Sequence, residues 1–167
     1  MCNPISVNSD GTGKIYCFPW ELRKQIYAGE LKNYDPDSHT SIAHYYGFLG
    51  IAEDKLNKWE YDFSTGTLTD DRINTTDDRE AVKAWFEKVG PDYFYPPDEV
   101  AKITIIHGDL SIRGIPLNWE NLSEVMGNVR ATNCTFPVLA EAADVWDCQD
   151  CTFPVLAEAA DVWDCQD

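Results

Sequence analysis

The sequence predicts an α+β N-terminal domain followed by a short parallel β-solenoid of about four coils. Hairpin and helix signals alternate over residues 1–90. The letters CTFPVLAEAADVWDCQD at 134–150 then recur unchanged at 151–167. Repetition at a short period is typical of solenoids, whose coils bury apolar sides by stacking. The predicted units are an α+β domain at 1–90, a Pro/aromatic junction and cap at 91–102, and the solenoid at 103–167.

The N-terminal domain begins with a hairpin signal. Pro4–Ser9 and Lys14–Phe18 flank the letters DGTG, and Asp-Gly favours a tight turn between two strands. Pro19 suits a first helical turn, so the apolar spacing predicts a helix from there to about Leu31. A short helix capped by Asp37 or Ser38 should follow and end at Gly47.

A second hairpin and a longer helix complete this domain. Lys58–Phe63 alternates in polarity and is joined by Ser-Thr-Gly to Thr67–Thr69. Asp77 with Glu80 predicts a capping box at the start of a helix that a Gly-Pro pair ends. The stretch 93–97 is too rich in proline for a helix or a central strand, so we expect it to cap the first coil.

The coils share one spacing of apolar residues. Steps of 3, 4, 2 and 3 residues join the inward positions of the repeat, and the same steps occur twice upstream. The coils therefore begin near Ile103, Leu122, Leu139 and Leu156, which are 19, 17 and 17 residues apart. Residues two apart on a strand point to one side, and strands of successive coils should pair in parallel. The predicted inward pairs are Leu110/Ile112, Val129/Ala131, Trp146/Cys148 and Trp163/Cys165.

Both halves of the chain resemble known groups of sequences. With its FPVL turn, polar stretch and apolar strand ending in Cys, the region 103–167 resembles short leucine-rich-repeat-like solenoids of bacterial and phage proteins. Its coils are shorter than the usual 20–29 residues, and Trp replaces a common aliphatic residue. The stretch 14–85, with KIYCFPWELRKQI, DPDSHTSIAHYYGF, EDKLNKWEYD and DDREAVKAW, resembles the opening domain of uncharacterised proteins of phages and mobile elements. This resemblance implies a mobile-element accessory protein and brings no catalytic residues.

The chain carries a formal net charge of −16, and the charge is unevenly placed. Residues 1–102 hold 18 acids against 11 Lys/Arg, whereas residues 134–167 hold 8 against none. This charge argues against nucleic acid as a direct ligand, because binding a duplex needs cations that displace counterions. It favours a basic partner. The sequence has no membrane-spanning apolar run and no signal peptide, so we expect a cytoplasmic protein.

The acids of the duplicate form the predicted partner-binding site. Stacking would place like charges roughly 4.8 Å apart, and each exposed pair would cost on the order of 1 kcal/mol before salt screening. Three explanations stay open: tolerance through solvent and curvature, bridging by cations such as calcium, or neutralisation by a basic partner. The partner is favoured over calcium, because the ladders lack a wrapping loop. The residues are Glu141, Asp144, Asp147, Asp150, Glu158, Asp161, Asp164 and Asp167.

Two other groups contain residue types that bind metals. Carboxylates and imidazoles occur together at Asp35, Asp37, His39 and His44. The two histidines lie five residues apart, about 140° around a helix, so we favour a helix cap with packed or solvated histidines over a shared metal. Cys148 and Cys151 have the spacing of half a zinc site. Stacking would instead place Cys134 over Cys151 and Cys148 over Cys165 as a cysteine ladder, and Ile and Ala occupy matching positions upstream, which is typical of apolar fillers. We therefore predict no metal and no cofactor.

Charge, repeat and resemblance together predict a non-enzymatic, acidic interaction module that binds and inhibits a basic, nucleic-acid-binding host defence protein. The chain lacks P-loop, dinucleotide, nucleophile-elbow and zinc-protease motifs, which favours a protein without catalysis. One alternative is a metal-dependent hydrolase that uses the His39/His44 region. The other is a structural module that self-assembles through solenoid ends. The last coil has no polar cap, so its open edge predicts a homodimer or a longer array.

Overall fold

In the computed structural model, the residues that are described form a mixed α/β fold with four α-helices, one antiparallel sheet and parallel sheets. The structure describes residues 5–48, 53–112, 115–132, 134–136, 141–149 and 162–166. No helix among these residues has the length and apolar character that crossing a membrane requires.

An antiparallel sheet of four strands forms the N-terminal half. Strands β1 (Ile5–Ser9) and β2 (Ile15–Tyr16) make the first hairpin, and β3 (Asn57–Asp62) and β4 (Thr67–Arg72) make the second. Both predicted hairpins are thus confirmed. The strand order is β2-β1-β3-β4, and all five residues of β1 are buried. A central strand buried along its whole length requires cover on both faces of the sheet.

Helices provide that cover. Val7 belongs to one buried cluster with Phe86 of α3 (Arg79–Val89). Its neighbour Asn8 donates from its side-chain nitrogen to the carbonyl of His39, the first residue of α2 (His39–Tyr45). Because successive side chains of a strand point to opposite faces, the two helices lie on opposite sides of the sheet.

Helix α1 (Trp20–Tyr27) begins after Pro19 as predicted but ends earlier than the predicted Leu31. Gly29 has a φ of 74°, a left-handed conformation that interrupts the helix and favours glycine. A Cβ at this position would lie 3.0 Å from the Cβ of His107. The early end of α1 therefore coincides with the close packing of His107, which is distant in sequence, against Gly29.

The other helix ends confirm two predictions and correct two. Ser38 caps α2 by accepting a hydrogen bond from the amide of Ser41, and Gly90 ends α3. The capping box is wrong, because the N-cap of α3 is Asp78. Helix α4 (Pro97–Val100) begins within the proline-rich stretch for which no helix is predicted. Pro97 is its first residue, where a missing N–H costs nothing.

Parallel strands form the second half of the chain. β5 (Ile105–Ile106), β6 (Leu110–Ile112), β8 (Glu124–Thr132), β10 (Glu141–Gln149) and β11 (Val162–Gln166) form one sheet. Its order is β11-β10-β8-β5, and β6 also pairs with β8. Outside this sheet, β7 (Leu117–Asn118) and β9 (Cys134–Thr135) pair in parallel.

The predicted fold class is wrong, because the described residues form a mixed α/β fold and show no solenoid. β8 and β10 are nine residues long, whereas the predicted inward pairs imply short strands. Their pairing also shifts register twice, so that Val129 lies opposite Val145 rather than Trp146. A stack of coils with a constant period would keep one register. The segments 137–140 and 150–161, which would close the last coils, and the coil start Leu156 lie outside the described residues.

The apolar spacing nevertheless identified buried positions. Leu110 and Ile112 pair with Val129 and Ala131, and all four are buried as predicted. In β10 and β11, Trp146 pairs with Trp163 and Cys148 with Cys165. One buried cluster contains residues from Ile5 to Phe136, so the antiparallel sheet, α3 and the parallel strands share packing.

Candidate functional site

A cleft of about 970 Å³ lies between the end of α1 with its following loop and the edge of the parallel sheet. One wall consists of residues 26–29 and 31–36, and the other consists of residues 107–111 with alternate residues of β8. Cavities of this size are typical of ligand sites. The charged and imidazole side chains that line it are Lys32, Asp35, His107, Asp109 and Arg130.

The sequence His107-Gly108-Asp109 forms the inner corner of the cleft. It separates β5 from β6, although both strands pair with β8. Oδ1 of Asp109 accepts a hydrogen bond from the amide of Asn128 at 2.8 Å. A side-chain oxygen thus takes the place of a strand carbonyl as the acceptor for this amide. The amide of His107 donates to the carbonyl of Tyr27 at 2.8 Å. The corner thus joins β8 to the end of α1.

A glycine permits this arrangement on the strand side. A Cβ on Gly127 would lie 2.6 Å from the carbonyl carbon of Gly108 and 2.7 Å from the amide nitrogen of Asp109. No side chain fits at those distances, so the corner can approach β8 only at a glycine. The carboxylate of Asp109 is therefore held in a fixed position while the residue remains exposed.

Asp35 stands on the opposite wall and is tied to a buried ion pair. Its Oδ1 accepts from the amide of Asp37 at 2.9 Å. Asp37 in turn accepts two hydrogen bonds from the guanidinium of Arg23, at 2.8 and 3.0 Å. The Arg23 side chain has no exposed surface. This bidentate pair fixes the turn that presents Asp35.

Neutral groups complete the shell around Arg23. Nε donates to the carbonyl of Phe18 and Nη2 to that of Pro36, while Nη1 donates to the Tyr95 hydroxyl at 2.6 Å. The Tyr95 hydroxyl lies 2.8 Å from that of Tyr27, which lines the cleft. Burial raises the pKa of both phenols, so they stay neutral hydrogen-bonding groups. A continuous buried network therefore supports the wall that carries Asp35.

The electrostatics of the cleft are set by two carboxylates. Desolvation raises the pKa of Asp35, and the negative charges of Asp37 and Asp109 raise it further. The negative charge of Asp109 thus acts on Asp35 from the opposite wall. Lys32 and Arg130 add positive charge, and Arg130 is in register with Ser111 of β6. The lining of the cleft thus contains charges of both signs.

The acids of the predicted ladders are only partly within the described residues. Glu141 and Asp144 lie in β10, opposite Glu124 and Asn128 of β8. Asp147 is also in β10, and Asp164 is in β11. Asp150, Glu158, Asp161 and Asp167 lie outside the described residues, and so do the predicted stacked pairs that contain them.

The four residues considered for a metal have separate environments. Asp37 pairs with Arg23, and Asp35 lines the cleft. The His39 ring places Nε2 at 3.2 Å from the Trp59 carbonyl and Nδ1 at 3.8 Å from the Asp71 carboxylate. The His44 ring packs against Tyr34, with centroids 5.5 Å apart. Within the described part of the chain, no three His, Cys, Asp or Glu residues are grouped as metal ligands would be.

The predicted cysteine ladder is partly described. Cys148 and Cys165 pair in register on neighbouring strands, while Cys134 pairs with Leu117. Its predicted partner Cys151 lies outside the described residues. Cys17 and Cys134 are buried, and burial raises the pKa of the Cys17 thiol to about 12. A thiol with such a pKa is a poor nucleophile and metal ligand at neutral pH.

Sequence reasoning missed Asp109 and the network around Arg23. A signal for Asp109 was present, because His-Gly-Asp interrupts the apolar positions Ile106 and Leu110 with a glycine and two polar residues. Such an interruption is typical of a bulge or a close backbone approach. For Arg23 no local signal exists, since its acceptors come from three separate segments of the chain, at residues 18, 36–37 and 95.

Comparison with known protein families, with curated proteins and with solved structures finds no match for this chain.

Proposed function

We propose that this chain is a non-enzymatic, acidic interaction protein whose cleft receives a cationic side chain of a basic protein partner. The supporting observation is the pair of carboxylates on facing walls, Asp35 and Asp109. Burial is the main cause of the raised pKa of Asp35, and repulsion by the negative charges of Asp37 and Asp109 adds to it. An ammonium or guanidinium group between Asp35 and Asp109 would relieve their repulsion and gain two charge-assisted hydrogen bonds.

The rest of the molecule favours the same partner. The net charge of −16 would attract a basic protein at long range and accelerate its association. Asp144, one of the duplicate's acids, stands in register with Asn128, which lines the cleft. The acids of β10 therefore lie on the strand adjacent to β8. We include them in the proposed surface, with the cleft at its centre.

A sharper form of the proposal makes the partner a nucleic-acid-binding host defence protein that this chain inhibits. It is supported by the acidic charge, which imitates that of nucleic acid. The test is competition: duplex DNA should displace the chain from such a partner, and the chain should displace DNA. Simultaneous binding of both would contradict this form without affecting the cleft.

The cleft itself is tested with a defined probe, the blocked pentapeptide Gly-Lys-Ala-Ala-Gly, titrated into ¹⁵N-labelled protein. The amides of Asn128 and His107 are built-in reporters, because they contact the carboxylate of Asp109 and the carbonyl of Tyr27. We expect their resonances to shift. Affinity should fall between about 0.01 M and about 1 M salt, where the screening length drops from about 30 Å to about 3 Å.

Conservative variants separate charge from structure. Asp35→Asn and Asp109→Asn each keep an oxygen that can accept the observed backbone hydrogen bond, so both should fold. Each should weaken binding about two- to fivefold, the range for an exposed ion pair. Asp92→Asn removes the same charge from an exposed site outside the cleft lining and is the matched control. Equal weakening by all three variants would contradict a site in the cleft.

A further inference from the structure

Three tyrosines form a surface beside the cleft, and we call Tyr34, Tyr45 and Tyr46 the tyrosine surface. The ring centroids of Tyr45 and Tyr46 are 5.1 Å apart, and those of Tyr34 and Tyr45 are 5.8 Å apart. Tyr45 and Tyr46 are 36% and 38% exposed. The three rings therefore contact one another while two of them also face solvent. Contiguous exposed apolar groups of this kind are typical of interaction surfaces.

The neighbouring structure holds these rings in place. Tyr45 is the last residue of α2, and Tyr46 is its C-cap. Phe18 is fully buried, and its ring packs against those of Tyr34 and Tyr45 at centroid distances of 5.9 and 5.2 Å. The hydroxyl of Tyr46 donates to the carbonyl of Cys17 at 2.8 Å. Because the rings are already ordered by these contacts, a partner would lose little conformational entropy of the chain on binding them.

The tyrosine surface is continuous with the cleft. Tyr34 lines the cleft and is followed directly by Asp35, one of the two carboxylates proposed to receive the cation. A partner segment with a cation at Asp35 would therefore pass the ring of Tyr34, which contacts Tyr45. The ring of His44 also packs against Tyr34, with centroids 5.5 Å apart. Neighbouring residues of the bound segment would thus meet aromatic rings.

The chemistry of the surface favours an arginine of that segment. The face of an aromatic ring attracts cations, because it carries partial negative charge. The chain itself shows this contact next to the surface: Nζ of Lys14 lies 5.2 Å from the ring centroid of Tyr16, which packs against Tyr46 at 5.4 Å. A guanidinium is planar and weakly hydrated, so it stacks on rings better than an ammonium does. The net charge of −16 attracts such a segment at long range.

We infer that the tyrosine surface is a second contact for the partner whose cation enters the cleft, and that it stacks against an arginine of the same segment. This inference rests on the proposed function, because the cleft supplies the first contact. It adds an aromatic contact, so that part of the affinity depends on a ring rather than on the carboxylates.

The test compares two blocked heptapeptides of equal length and charge, Gly-Arg-Gly-Lys-Gly-Arg-Gly and Gly-Lys-Gly-Lys-Gly-Lys-Gly. The glycines keep both peptides flexible, so no particular spacing is assumed. Titration into ¹⁵N-labelled full-length protein gives both dissociation constants from the Asn128 resonance. We expect the arginine peptide to bind about two- to fivefold more tightly, the range for an exposed cation–π contact. Equal affinities for the wild-type chain would overturn the inference.

A second measurement on the wild-type chain needs no substitution. A ring current shifts the resonances of protons that lie over an aromatic face. The arginine δ protons of the bound peptide should therefore move upfield, and saturation of the tyrosine ring protons should transfer to them. If neither effect appears at saturating peptide, no arginine stacks on the tyrosine surface and the inference is wrong.

Variants of Tyr45 separate the ring from the rest of the side chain. Tyr45→Phe keeps the ring and should keep the preference for the arginine peptide. Tyr45→Leu keeps an apolar side chain without a ring and should remove that preference. Ile73→Ala shortens an equally exposed apolar side chain outside the cleft lining and is the control, which should leave the preference unchanged. A preference that survives Tyr45→Leu would overturn the role of the tyrosine surface.

The inference and the proposed function fail in different ways. If both heptapeptides bind equally and depend on Asp35 and Asp109, only the inference is wrong. If neither peptide shifts the Asn128 resonance, the proposed function is wrong. Upfield shifts of the arginine protons without any shift of Asn128 would support the aromatic contact and contradict the cleft. Binding that ignores Asp35→Asn, Asp109→Asn and Tyr45→Leu would contradict both.

Discussion

Removing the carboxylate of Asp37 would leave the guanidinium of Arg23 buried without its counter-ion. The Arg23 side chain is fully buried, and that of Asp37 is 13% exposed. The remaining hydrogen-bond partners of Arg23 are neutral: the carbonyls of Phe18 and Pro36 and the hydroxyl of Tyr95. They satisfy hydrogen bonds but do not balance the charge. Asp37→Ala therefore tests how much of the fold depends on this ion pair.

Breaking a buried pair by removing one partner costs about 3–5 kcal/mol, since an uncompensated charge stays in the interior. For a chain of this size the melting temperature should fall by about 6–20 °C, at 2–4 °C per kcal/mol. Urea denaturation with linear extrapolation gives the free energy of unfolding. The double variant Arg23→Met/Asp37→Ala removes both charges. Comparing it with the two single variants in a double-mutant cycle should give a coupling free energy of about 1–3 kcal/mol.

Glu99→Ala is the matched control, because Glu99 forms an exposed pair with Lys102. Its loss should lower the free energy of unfolding far less than Asp37→Ala does, because exposed ion pairs contribute little to stability. If Asp37→Ala costs no more than this control, the pair behaves as a surface ion pair. The buried network would then not be what holds the turn that carries Asp35.

Three further predictions concern single residues. Gly127→Ala should destabilise the chain by about 1–3 kcal/mol through overpacking against Gly108, measured by urea denaturation; a neutral effect would show that the corner is mobile. Burial lowers the pKa of His39 below 6.5, so the unfolded state binds the proton first and the free energy of unfolding should decrease as the pH falls below about 6.5. His39→Gln should flatten that dependence between pH 7 and 5, and an unchanged slope would contradict it. Cys17, whose pKa is about 12, should react with iodoacetamide at pH 8 only after denaturation, as peptide mapping would show; rapid labelling of the native chain would refute its burial.

Local signals predicted the N-terminal elements well. The letters DGTG and STG marked both hairpins, and Ser38 and Gly90 marked helix ends, because turns and caps depend on a few neighbouring residues. Asp78 shows the limit of such reasoning. The predicted capping box begins at Asp77, whereas the N-cap is Asp78, whose carboxylate accepts from Ser9 Oγ and from the amide of Gly13, far away in sequence.

The C-terminal half shows a different limit. Periodicity identified which residues of β6 and β8 are buried, since burial follows the alternation of a strand. It did not determine the architecture, because strand length and register depend on pairing between segments. Predicting a constant register missed the two shifts between β8 and β10. The cleft was missed for a related reason: its walls meet only through long-range contacts such as that between Tyr27 and His107.

The contact between Tyr27 and His107 has a thermodynamic consequence. The cleft exists only after residues near 30 and residues near 110 have come together. A chain that binds a ligand in the cleft has therefore completed this step of folding. Closing such a long loop is slow relative to forming a hairpin. Any ligand that bridges the two walls binds only the closed form, and mass action then raises the free energy of opening with ligand concentration. Occupancy of the cleft and the closure of its walls are therefore linked equilibria.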